Sequence, residues 1–151
     1  MSTLDKLGQI YIDALTEIIA TTSGIRLEVG CRESNKDFSE ITGVMYLNGK
    51  KAGMLFVTAD EPDIRILCAN ITGVPLEEVT REEIDDTMCE LVNMTAGNAK
   101  LRLSDTDYMF SLLQPFVING KDVTIVTKSI TKVEAGTLTN GKISIRFKVV
   151  Y

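Results

Sequence analysis

Residues 80–103 read TREEIDDTMCELVNMTAGNAKLRL, and this stretch predicts a long amphipathic helix. Thr80 and Glu83 have the spacing of a capping box, in which each side chain bonds the other residue's backbone N–H at the start of a helix. Apolar and small residues then recur every three or four positions, which is the period of a helix with one buried face. The residues predicted to form that buried face are Ile84, Met88, Leu91, Val92, Thr95 and Ala99.

A second face of the same helix is polar. Asp86, Glu90, Asn93 and Gly97 each follow the previous one by three or four residues, so they are neighbours on the helix surface. A glycine inside a helix costs about 1 kcal/mol relative to alanine, and close approach by another molecule or a neighbouring strand is a reason to keep one. A solvated helix face is the plain structural alternative for these residues.

The chain before this helix is predicted to contain two further helices and three strands. The first helix covers residues 2–22, has a capping pattern at Ser2 and Asp5, and ends before Gly24. Asn48-Gly49 predicts a tight hairpin turn between two strands. The other elements predicted here are strands over residues 25–32, 38–47 and 52–58, and a short helix from Pro62 to about Gly73.

The chain after the long helix is predicted to consist of strands. Turns are expected at Asn119-Gly120 and Asn140-Gly141. In the last strand apolar and polar side chains alternate, which predicts a sheet with one apolar and one wet face. Such a sheet is antiparallel with helices packed on its apolar face, so the predicted fold class is α+β. The strands predicted in this part cover residues 108–118, 123–133 and 143–151.

The sequence also contains an internal repeat. The spacing of Asp86, Glu90, Asn93 and Gly97 recurs in the first helix, and each helix is later followed by an Asn-Gly-Lys turn, at Asn48 and at Asn119. Two copies of a helix-plus-strands unit would explain the match, and chance similarity of two amphipathic helices is the alternative. The first copy of the motif consists of Asp13, Glu17, Ala20 and Gly24.

Composition limits the possible functions. The 151 residues fit one domain over residues 1–151, and 44% hydrophobic with 25% charged residues is an ordinary soluble balance. The net charge of −5 argues against binding to nucleic acid or to an anionic membrane surface. The N-terminal residues lack the apolar region of a signal peptide, and no apolar run approaches a membrane span, so a cytoplasmic location is expected.

The nucleophiles and metal ligands that many enzymes use are scarce. The chain has no histidine, which excludes Ser-His and Cys-His catalysis and most zinc sites. Its three cysteines, Cys31, Cys68 and Cys89, have no C-x-x-C spacing and are interpreted as reduced core residues. Any catalysis must therefore use carboxylates, amides, hydroxyls, lysines or groups of a partner.

The string ELVNMTAGNAK, from Glu90 to Lys100, resembles the signature helix of CheX proteins in the CheC/CheX/FliY phosphatase family. The family pattern joins an acidic or small polar residue, a Glu, an Asn and a distant Pro. The matching positions here are Asp86, Glu90, Asn93 and, with approximate spacing, Pro115. The resemblance implies a CheC-like fold and hydrolysis of the aspartyl phosphate of a CheY-like response regulator.

The resemblance also implies a role for each residue. Asn93 would position the attacking water, because its amide is neutral and can both accept and donate hydrogen bonds beside a phosphoryl dianion. Glu90 would pair with a lysine of the regulator, and Asp86, Gly97 and Pro115 would border the docked protein. No intrinsic cofactor is implied, since the regulator supplies Mg²⁺.

Two other interpretations remain open at this point. The acidic residues near the helix start could suggest a metal site, but carboxylates there are explained by the helix dipole. The same polar face could belong to a binding module that docks on a response regulator or flagellar switch without catalysis. Retention of both Glu90 and Asn93 favours the enzyme.

A homodimer is also implied by the resemblance to CheX proteins. The predicted strands over residues 108–118 and 143–151 would be hazardous as open sheet edges. Pairing one such edge with its copy in a second chain would close it and give a two-fold dimer.

Because Ala20 replaces the amide in the first copy of the repeat, one active site per chain is expected.

Overall fold

The computed structural model describes residues 2–31, 38–128 and 130–151, without the side chains of Leu4 and Cys31. The helices are α1 (Thr3–Ser23), α2 (Glu61–Thr72) and α3 (Arg81–Arg102), with a 3₁₀ turn at Leu76–Glu78. The strands are β1 (Glu28–Cys31), β2 (Ile41–Gly49), β3 (Gly53–Ala59), β4 (Phe110–Leu112), β5 (Phe116–Asn119), β6 (Val133–Thr139) and β7 (Ser144–Val150). The α+β class is confirmed.

Local signals placed the helix ends correctly. Both predicted capping boxes form, with the Ser2 and Thr80 side chains accepting from the third backbone N–H of α1 and α3. Gly24 and Gly73 end α1 and α2 with φ angles of 76° and 77°, a left-handed conformation that glycine adopts without steric cost.

All strand pairs are antiparallel, in the order β1-β6-β7-β3-β2-β4, with β5 also pairing with β2. Helices α1 and α3 pack against each other and against the sheet, enclosing the main core. Gly43 of β2 permits close approach of α3 to the sheet, because a Cβ there would lie 2.9 Å from Cγ of Met88. All six residues of the predicted buried face of α3 are buried. That face therefore holds α3 on the sheet and leaves its opposite face outward.

The topology agrees with the predicted repeat. One unit comprises α1, β1 and the β2–β3 hairpin, and the other comprises α3, β4, β5 and the β6–β7 hairpin. Each unit has a strand that pairs with the hairpin of the other unit, because β1 pairs with β6 and β5 pairs with β2. The glycines of the motif are not equivalent, however, because Gly24 ends α1 whereas Gly97 lies inside α3.

The hairpin predicted at Asn48-Gly49 is confirmed, but its connection is longer than a tight two-residue turn. The β2–β3 ladder ends at the pair Leu47 and Gly53, so Asn48 and Gly49 lie in the connection between these strands while they pair with β4 on the other side of β2. Gly49 pairs with Phe110 of β4, and a Cβ on Gly49 would collide with the carbonyl oxygen of Met109. Glycine at this position therefore allows β2 and β4 to approach each other closely. The hairpin equivalent to β2–β3 turns at Asn140-Gly141, as predicted there, and not at Asn119.

The strand predicted over residues 108–118 is divided in two. Between β4 and β5 lies Pro115, whose missing N–H cannot join a strand ladder. β4 and β5 form an edge of the sheet. This agrees with one of the two alternatives for the dimer, in which residues 108–118 provide the open edge. The other alternative, the C-terminal strand, is wrong, because β7 pairs on both sides with β3 and β6.

Among the residues described, the strand predicted over residues 123–133 does not form before Val133. Ser129 of this predicted strand lies outside the described residues. Arg32, at the end of the first predicted strand, also lies outside them. Instead, Ile125 and Ile130 pack against an apolar cluster on the second face of the sheet. The predicted wet face is therefore partly apolar. The buried residues of this cluster are Val44, Phe56 and Val150.

Candidate functional site

The outward face of α3 carries the polar residues that the sequence singled out. Asp86 and Glu90 are exposed, and Asn93 and Gly97 are half-buried. The opposite face of α3 is fixed in the core, so these residues share one rigid surface. The structure thus brings four of the five predicted site residues together on a single helix.

Glu90 and Asn93 have no polar partner among the described residues. Among the described residues, neither side chain makes a hydrogen bond or ion pair, whereas Glu17, the matching residue of the repeat, does. The Glu17 carboxylate lies 2.5 Å from an Arg102 guanidinium nitrogen and accepts from Nδ2 of Asn98 at 3.2 Å. The first copy of the motif therefore links α1 to α3, while the second copy presents its polar groups outward.

The surface around Glu90 is electrostatically negative. Burial raises the pKa of the half-buried Cys89 thiol, and the nearby carboxylates of Asp86, Asp85 and Glu90 raise it further. A neighbouring cation would be attracted by the same carboxylates.

The prediction that the cysteines lie in the core holds for Cys68, which is buried, and only partly for Cys89. The Cys31 side chain lies outside the described residues.

Gly97 lies beside the edge of the sheet. A Cβ at this position would lie 3.9 Å from Cδ1 of Leu112 in β4, which is ordinary van der Waals contact. The neighbouring strand therefore does not require a glycine here. Approach by another molecule, the other reason considered for this glycine, stays a prediction.

Pro115 is the one predicted site residue that lies outside α3. It is half-buried in the segment between β4 and β5, and both of these strands contact α3. The start of α3 is tied to the end of β5, because Nη2 of Arg81 donates to Oδ1 of Asn119 at 2.8 Å and Nδ2 of Asn119 donates to Asp85 at 3.1 Å. Asn119 was interpreted as a turn residue, and no sequence signal predicted this link.

Two of the acidic residues at the start of α3, Glu83 and Asp85, have structural partners. Glu83 accepts hydrogen bonds from the backbone N–H and hydroxyl of Thr80, at 3.1 and 2.9 Å. Asp85 pairs with Arg81 at 3.4 Å. The described part of the chain contains no cluster of three or more His, Cys, Asp or Glu residues that could hold a metal ion. Nor, within that part, is any helix both long and apolar enough to cross a membrane.

A groove beside the polar face escaped the sequence analysis. It lies between α2 and α3 and has a volume of about 260 Å³. The sequence signal that could have indicated this groove is Met94, an apolar residue outside the predicted buried face of α3. The groove is lined by Ile71, Thr72, Glu83, Asp86, Thr87, Glu90, Leu91 and Met94.

The fold defines a class of small α+β proteins built from two related helix-and-strand units around one antiparallel sheet. Residues 41–137, more than half of the chain, match the family model described as "Chemotaxis phosphatase CheX". The chain therefore belongs to the CheX family. No curated protein sequence matches it significantly.

Solved structures share this fold over nearly the whole chain. A CheC-like superfamily protein from Shewanella sp. PV-4 is 25% identical, with a TM-score of 0.83 over 99% of this chain and 98% of that one. CheX from Vibrio vulnificus is 21% identical, with a TM-score of 0.82 over 96% and 98%. A CheX–CheY–BeF₃–Mg²⁺ complex from Borrelia burgdorferi is 15% identical, with a TM-score of 0.76 over 94% and 95%.

Proposed function

We propose that this protein is a phosphatase that hydrolyses the aspartyl phosphate of a CheY-like receiver domain. The observation that carries the proposal is that Glu90 and Asn93 share the outward face of the rigid helix α3 and have no polar partner in the described part of the chain. Membership of a family of chemotaxis phosphatases supports it. The first copy of the motif has its carboxylate tied to Arg102 and lacks the amide, so one site per chain is proposed.

The proposed chemistry is an in-line attack of water on phosphorus. The water oxygen forms a bond to phosphorus while the bond from phosphorus to the aspartyl oxygen breaks, and the aspartate leaves with the electron pair. One water proton passes to the phosphate or to solvent. Since the transition state for phosphoryl transfer is loose, positioning of the water by the Asn93 amide is the main requirement.

Charge neutralisation is assigned to the receiver. Mg²⁺ held by the receiver would neutralise the phosphoryl oxygens, and the CheY of the Borrelia complex was crystallised with BeF₃ and Mg²⁺. This chain would contribute the Glu90 carboxylate as the partner of a receiver lysine. Asp86, one turn earlier, would add to the attraction, and Gly97 would leave room for the receiver surface.

A homodimer is proposed as the assembly. Among the described residues, strands β4 and β5 pair only with β2, and this edge carries four large apolar side chains that are 40–48% exposed. A second copy of the edge would satisfy the open backbone groups and cover these side chains. The four residues are Met109, Leu112, Leu113 and Phe116. A cytoplasmic location is also proposed, and it depends on the proposed substrate.

The alternative is a module that docks on a receiver or flagellar switch without catalysis. One experiment separates the two functions. A receiver domain is phosphorylated with acetyl phosphate, freed of the donor, and mixed with the protein at a ratio of about one to a hundred. Release of many phosphates per chain would establish turnover. Binding to the BeF₃-activated receiver without faster release would establish the docking module instead.

A further inference from the structure

We propose that the groove beside Glu90 seats an apolar side chain of the receiver domain and thereby selects among receivers. This inference rests on the proposed function, because the receiver is the substrate of that function. The groove is continuous with the proposed site, since Glu90 and Asp86 belong to its lining. Its occupant is therefore expected to come from the same docked protein.

The interior of the groove is apolar. Leu91 is 1% exposed, and the half-buried side chains of Ile71 and Met94 contribute the rest of the apolar surface. The Thr72 hydroxyl on its border already donates to the carbonyl of Cys68 at 2.7 Å. An apolar side chain would release water from the apolar part of this surface.

The rim of the groove determines the surroundings of that side chain. The Glu83 carboxylate accepts hydrogen bonds from Thr80. Asp86 and Glu90 are exposed and make no hydrogen bond or ion pair within the described chain. A receiver surface that carries positive charge is favoured at this rim, and a negative one is repelled. The chemistry that fits is an apolar residue next to a lysine.

Helix geometry gives the direction of the contact. At about 100° per residue, Asn93 and Met94 lie roughly 60° and 40° from Glu90, on opposite sides of it. A receiver with its phosphorylated aspartate over Asn93 and its lysine over Glu90 continues across Met94. The apolar residue therefore lies on the far side of the lysine from the phosphorylated aspartate.

The test compares two matched apolar-to-amide substitutions. Met94→Gln places a polar group in the groove, while Val126→Gln makes the same type of change at a side chain that is 82% exposed in the segment after β5. With an acetyl-phosphate-labelled receiver that the wild type dephosphorylates, Met94→Gln is expected to raise KM about three- to tenfold and to leave kcat close to wild type, as loss of one interface anchor does. Val126→Gln should change neither constant.

A second measurement uses the unmodified protein and does not depend on folding of a variant. With ¹³C-labelled methionine methyl groups, addition of the BeF₃-activated receiver should shift the Met94 resonance and leave that of the fully buried Met45 in place. An unchanged Met94 resonance, or an unchanged KM in folded Met94→Gln, would overturn the groove proposal while wild-type turnover still upheld the phosphatase. Absence of both turnover and binding with every receiver would overturn both proposals.

Discussion

At the scale of single residues, Asn93 is the residue on which the proposed chemistry depends. Asn93→Ala is expected to lower kcat for receiver dephosphorylation by about 10²- to 10⁴-fold, the range for a positioned catalytic group. The fold should persist, because no hydrogen bond within the described chain involves this half-buried side chain. Rates of phosphate release and the thermal unfolding midpoint check both points. Near-wild-type turnover by a folded variant would contradict the mechanism.

The Asn93→Asp variant serves as a control for charge. Its side chain has the same size, but the carboxylate would be repelled by the phosphoryl group and could not donate a hydrogen bond. It should be as inactive as Asn93→Ala. Full activity of Asn93→Asp would instead indicate general-base chemistry at this position.

Gly97 is expected to show opposite effects on stability and function. Gly97→Ala should raise the free energy of unfolding by up to about 1 kcal/mol, because the new methyl group has room beside Leu112 and glycine is unfavourable within a helix. It should also raise KM for the receiver, because the methyl group projects from the proposed docking surface. Urea unfolding and steady-state kinetics measure the two effects. A stabilised variant with unchanged KM would show that the receiver does not approach this position.

At the scale of elements, the two long helices differ in what their equivalent glutamates do. Glu90→Ala should reduce phosphatase activity strongly, mainly through KM, because Glu90 is proposed to hold the receiver lysine. Glu17→Ala should leave activity close to wild type and cost about 0.2–1 kcal/mol of stability, the usual value of an exposed ion pair such as that with Arg102. Comparison of kcat/KM for the two folded variants provides the test. Equal losses would refute the proposal of one site per chain.

The elements also show which features the sequence could predict. Helix ends such as Thr80 and Gly24 depend on neighbours within four residues, and they were predicted correctly. Local turn preference predicted the hairpin at Asn48-Gly49, but it could not predict the close approach of Gly49 to Met109, sixty residues away. The face with Glu90 and Asn93 followed from helical period, but the groove depends on where α2 packs, which the sequence pattern does not specify.

At the scale of the whole molecule, the edge formed by β4 and β5 decides the proposed assembly. Sedimentation of the wild type at micromolar concentration is expected to give the mass of a dimer. Leu113→Glu combined with Phe116→Glu should give a folded monomer, because each substitution puts a charge on a side chain that is 44% or 48% exposed in the structure and covered in the proposed dimer.

The control for that assembly is Val126→Glu, which adds a charge at another exposed apolar position and should remain dimeric. The comparison separates loss of a specific edge contact from a general effect of added negative charge on a chain whose net charge is already −5. Because α3 packs against β4 and β5, the dimer would hold each receiver site beside a closed sheet edge. A wild-type monomer, or a dimer that survives both glutamates at the edge, would require a different surface for self-association.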